Sequence, residues 1–170
     1  MRRIAQLALL LPLLAAGCGG GSGEKTTAVE TRPDAGLPQS KADYVELADA
    51  ICHNHQSRRE DLESQARELG PLTSKAKAHQ VADLLRQESS NRRAEIGDLS
   101  NLQPPDADAA EVNSILSLLR SEADVLDTWA AAYDDLDAPA IRRQQIRLGL
   151  TAGRAADRAR AYGFEVCGQQ

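Results

Sequence analysis

The sequence predicts an all-α protein, an up-down-up-down antiparallel four-helix bundle with a C-terminal tail clamped to helix one by a disulfide. Three observations lead there. Proline and glycine, costly inside helices, punctuate the chain at Gly70-Pro71, Pro104-Pro105 and Asp137-Ala138-Pro139. The four segments so marked off, from Ser40 onward, are each about 25–30 residues and repeat apolar residues at helical period. No stretch shows the alternation of a half-buried strand. Helices of similar length joined by short connections pack most simply as antiparallel neighbours.

Segment one places Tyr44, Leu47, Ala48, Ile51, His55, Leu62, Ala66 and Leu69 on one face. Ser40 with Asp43 approximates a capping box, Asp replacing the usual Glu or Gln. Segment two carries Ala78, Val81, Ala82, Leu85, Glu88, Arg92, Ile96 and Leu99. Segment three has the cleanest stripe, from Val112 through Leu119, Ala123 and Leu126 to Trp129 and Tyr133. Asp106 and Asp137 are the N-cap candidates of segments three and four. Segment four runs from Ile141 through Leu148, Ala152, Ala155 and Ala159 to Tyr162, and its alanines admit a close neighbour. Gly163 can take the left-handed conformation that ends it.

The region before the bundle is of another kind. Arg2 and Arg3, an apolar run from Leu7 to Leu14, small residues and then Cys18 form a secretory signal ending in a cysteine. The run is too short to span a bilayer. It resembles the lipobox of bacterial lipoprotein precursors, with Ala15 where leucine is commoner. The resemblance implies a signal peptide over residues 1–17 and acylation of Cys18, which becomes the first residue of the mature chain. Residues 18–39 are rich in Gly, Thr, Pro and charge and read as a flexible tether. Such a tether reaches roughly 25 Å. Residues 40–170 form the bundle domain.

Export also bears on Cys52 and Cys167, the two remaining cysteines. In an oxidising compartment a disulfide is the simplest state, with two free thiols as the competing one. Cys52 lies about 18 Å up helix one from Ser40. Cys167 lies within a reach of roughly 13 Å beyond Gly163. Pairing therefore requires the tail to reverse at Gly163 and climb back along the bundle, burying Phe164 and Val166. The surroundings of both cysteines, Ala48-Asp49-Ala50-Ile51-Cys52 and Tyr162-Gly163-Phe164-Glu165-Val166-Cys167-Gly168, are similar to those in a family of small actinobacterial helical lipoproteins. The resemblance covers the lipobox, the opening of helix one and the closing tail. It implies architecture and location and brings no activity with it.

Composition narrows the function. The net charge is −5, and loss of Arg2 and Arg3 makes the exported chain more acidic still, against a nucleic-acid partner. Aromatic content of 3% leaves few stacking platforms, and Met1 is the only methionine, so a mature chain has no thioether ligand. No Gly-x-Ser-x-Gly, His-Glu-x-x-His or glycine-rich phosphate loop occurs. His53 and His55 point about 200° apart on a helix and cannot share a ligand. His55, Glu88 and Glu122 fall at a similar height on inward stripes, an arrangement that could ligate a divalent metal. No glutamate stands three residues before any histidine, so a structural polar layer is expected and no metal. Asp134, Asp135 and Asp137 lack the glycine and distal glutamate of a calcium loop. Arg143, Arg147, Arg154 and Arg158 recur on the outer side of segment four, as a solvated face or a contact for anionic lipid or an acidic partner.

The expectation is a lipid-anchored protein on the extracytoplasmic face of the cell membrane. It has no catalytic activity and no cofactor, and acts through contacts with an envelope protein. The competing expectation is a small-ligand or metal-binding bundle using His55, Glu88 and Glu122.

Overall fold

The computed structural model describes residues 40–169. The expected signal peptide, Cys18 and the whole of the expected tether, residues 1–39, lie outside them. Four helices follow one another: α1 (Lys41–Leu69), α2 (Lys75–Asn101), α3 (Ala109–Asp134) and α4 (Ala138–Tyr162). A 3-10 turn precedes α3 at Asp106–Asp108 and another closes the tail at Cys167–Gln169. No strand occurs among the described residues. The fold is the expected helical bundle, with the tail joined to α1.

Local chemistry sets the helix ends. Ser40 Oγ accepts the Asp43 N–H at 3.2 Å, and Asp137 accepts the Ala140 N–H at 2.9 Å. Ser74 caps α2 in the same way, taking the Lys77 N–H at 3.3 Å. Asp106 is not the cap of α3: it opens the 3-10 turn, and Asp108 takes the cap position without a side-chain cap bond. The Asp108 carboxylate instead accepts the Tyr162 hydroxyl at 3.1 Å, a tertiary contact that competes with capping. Gly163, at φ 116°, ends α4. The Phe164 N–H returns to the Ala159 carbonyl and the Gly163 N–H to that of Arg160, the Schellman arrangement.

This reversal sends the tail back along α1. Cys52 and Cys167, separated by 115 positions, form the disulfide with Cα atoms 5.3 Å apart. Phe164 is buried and Val166 half-buried. Tyr44, Tyr162 and Phe164 pack ring against ring, with centroids 4.9–6.2 Å apart. Lys41 Nζ lies 4.1 Å above the Tyr162 ring, so the start of α1 sits beside the end of α4.

The apolar core has two parts. The larger joins Tyr44, Ala48, Ile96, Leu99, Val112, Ile115, Leu116, Leu119, Ala155 and the tail; the smaller joins Ala78, Ala82, Ala130 and Tyr133. Between them on α2 and α3 lie Ser89, Arg92, Glu95 and Glu122, all buried. Helix packing runs α1 on α2, α2 on α3 and α3 on α4, while the tail bridges α4 to α1. The amino half of α4 has no fully buried residue. There, α1 and α4 leave a cleft between them.

Candidate functional site

The cleft has a volume of about 310 Å³. Leu62 and Ala66 of α1 form one wall and Leu148 and Ala152 of α4 the other, with Leu85 and Leu126 beneath. Its floor is charged: Arg59, Glu88, Arg92 and Glu122 all reach it. The opening follows from composition. Beyond Cys52 the inward side of α1 alternates apolar residues with His55 and Arg59, leaving only Leu62 fully buried. Neither helix has enough apolar surface there to seal the seam.

The floor is an ion-pair network spanning α1, α2 and α3. Arg92 Nη1 lies 2.7 Å from Glu95 Oε2, and Nη2 lies 3.3 Å from Glu122 Oε2. Arg59 Nη1 reaches Glu95 at 3.5 Å and Glu88 at 3.9 Å. Two guanidinium groups thus serve three carboxylates. Burial pushes Glu88 above the usual carboxylate range, and Arg59 and Arg92 only partly oppose it. Glu122 is raised in the same way, against the pull of Arg92. Glu88 Oε2 is buried without a hydrogen-bond partner among the described residues.

The expected layer of His55, Glu88 and Glu122 is therefore formed in part. The two glutamates face inward around the arginines. His55 joins a different set, on the seam of α1 with α2. Its Nδ1 lies 3.0 Å from Asn91 Oδ1 and its Nε2 2.8 Å from Asp98 Oδ2. Asn91 Nδ2 donates to the His55 carbonyl at 3.3 Å, which fixes the amide so that its oxygen faces the ring. Both ring nitrogens face acceptors, an environment for imidazolium. Burial depresses the His55 pKa, but the bonds to Asn91 and Asp98 and the charges of Glu95 and Asp98 outweigh it, so the net shift is upward. Among the described residues no group of three or more His, Cys, Asp or Glu could hold a metal ion.

Other singled-out residues find local roles. His53 is exposed. Asp134 binds His79 at 2.8 Å and also pairs with Arg86, and Asp137 caps α4, so the aspartate run is engaged in the α3–α4 turn. Trp129 stacks on Tyr133 with centroids 6.0 Å apart beside the smaller core. The arginines of α4 divide. Arg158 holds Glu111 through two bonds of 2.6 and 2.9 Å. Arg143, Arg147 and Arg154 make no ion pair among the described residues and are exposed.

Arg59 and Glu95 are absent from the sequence-level layer. The α1 stripe skips a turn between His55 and Leu62, and Arg59 fills that gap. Asp49 is a further unforeseen residue. Its Oδ1 accepts the N–H groups of Val166 and Cys167 at 3.0 and 2.9 Å, and its Oδ2 that of Glu165 at 2.8 Å. No described helix is long and apolar enough to cross a membrane. No family model, curated protein or solved structure matches this chain.

Proposed function

We propose that this chain is a lipid-anchored, extracytoplasmic binding protein without catalytic activity, working through contact with a protein of the cell envelope. The observation that carries the reading is the open side of the bundle between α1 and α4. A stabilising scaffold alone has no need of an apolar-walled opening of about 310 Å³. Two further features favour binding over chemistry. Cys52 and Cys167 are committed to a disulfide, and the buried carboxylates are engaged with arginines. The anchored reading is supported by the likeness of the sequence around Cys18 to a lipobox and by the Gly-, Thr- and Pro-rich composition of residues 18–39.

A second reading rests on one observation. Glu88 lines the cleft with one carboxylate oxygen unpartnered, so a small ligand with a hydrogen-bond donor and an apolar body would complete the floor.

Membrane fractionation of the full chain tests the anchored reading. Wild type is expected in the membrane fraction carrying diacylglyceryl mass, and Cys18→Ala is expected to lose both. A Cys18→Ala protein still acylated and processed normally would overturn it.

A further inference from the structure

Ile146 and Leu150, at 65% and 60%, are the most exposed large apolar side chains of the described residues, and both lie on α4. They stand one turn apart on the helix. Arg143, Arg147 and Arg154 share that face at helical spacing. None of these three arginines has an ion-pair partner among the described residues, in contrast to Arg158 with its Glu111. The one carboxylate of α4, Asp157, is taken by Arg160. A chain of net charge −5 thus presents a cationic strip around two exposed apolar side chains.

That pattern matches a bilayer interface. Apolar side chains enter the acyl boundary while guanidinium groups meet lipid phosphates. The acidic remainder of the domain opposes this weakly, because exposed charges are screened beyond a Debye length of about 10 Å. Placement agrees as well. The start of α1 sits beside Tyr162, and Leu150 lies about 18 Å back along α4 from there.

The geometry points to the outer face of α4 as a seat on an anionic phospholipid surface. The orientation this gives the anchored protein rests on the lipobox reading; the affinity of the face for lipid does not.

The test uses the chain from residue 18 onward with Cys18→Ser, so that no acyl group contributes. Co-sedimentation is measured with vesicles of phosphatidylglycerol and phosphatidylcholine, against pure phosphatidylcholine. Retention on the mixed vesicles should fall with added salt. It should be about a hundredfold weaker in the triple variant Arg143→Gln, Arg147→Gln, Arg154→Gln. Those side chains are exposed, and an unchanged helical spectrum confirms that the variant folds. Ile146→Ser with Leu150→Ser should weaken binding while keeping its salt dependence. Equal retention on neutral vesicles, unchanged retention of the triple variant, or no retention on mixed vesicles would each overturn the proposal. So would photo-crosslinks from Leu150 in native membranes that reach polypeptide and no lipid. Because acylation is absent from the vesicle assay, failure of the anchor reading and failure of this one appear separately.

Discussion

Asp49 accepts the backbone N–H of Cys167 at 2.9 Å, one helical turn before the cysteine to which Cys167 is bonded. The tail is thus held twice, by a carboxylate gathering three successive N–H groups and by the disulfide. Hydrogen bonds to a charged acceptor are among the stronger ones in proteins. Asp49→Ala is expected to lower stability by about 1–3 kcal/mol, with three donors released to compete for water. It should also speed reduction of the disulfide. Urea denaturation and thiol release under mild reductant check both.

The disulfide itself closes a loop of more than 100 residues. In the chain-entropy model this contributes about 4–5 kcal/mol. Cys52→Ala, or full reduction, should therefore shift the denaturation midpoint strongly while retaining most helical signal at low temperature. Labelling of both thiols in native, non-reduced protein would contradict the pairing.

Arg92 is the pivot of the buried layer, bonded to Glu95 and near Glu122. Arg92→Met fills similar volume but takes from Glu122 its 3.3 Å cation and leaves Glu95 with the longer contact to Arg59. The expected loss is about 3–5 kcal/mol. Adding Glu95→Gln and Glu122→Gln to that variant should recover much of the loss, since the uncompensated charge is removed. Chemical denaturation of the series measures both steps.

Three groups are expected to make the domain more stable in mild acid than in alkali. His55 is raised above its ordinary 6.5, so its contribution is complete below 6.5 and is lost as pH rises through the raised value. Glu88 and Glu122 are raised above 4.5; ionising them costs stability as pH climbs through their raised values. Glu111 and Asp134 are held low by bonds to Arg158 and to His79 with Arg86, and lose their contribution only at lower pH. The urea midpoint should rise as pH falls from about 8 to about 5. His55→Leu should flatten the part of that rise above 6.5.

Much of this was legible in the sequence. Helical period and proline positions define four helices, and Gly163 with two cysteines defines the returning tail. The rest required three dimensions. Asp49 sits too deep in α1 to cap it, and nothing local says that its carboxylate meets a tail more than 100 residues away. His55 lies on the inward stripe yet turns to Asn91 and Asp98, because a stripe specifies a face and leaves the side chain's partner open. Arg59 has a long stem that carries its charge inward from a position that reads as surface. The cleft is a shortage of apolar area along one seam, and periodicity alone does not measure area.

We propose that the anchored protein works through the open side between α1 and α4. Ala66 is exposed and lines the cleft, and Ser117 lies exposed on α3. A photo-crosslinking residue is placed at one or the other position in the full chain, in native membranes, with Cys18 intact or replaced by alanine. One discrete protein adduct is expected from Ala66, none from Ser117, and the Ala66 adduct is expected to be lost in Cys18→Ala. Matching adducts from both positions, or an Ala66 adduct indifferent to Cys18, would contradict it.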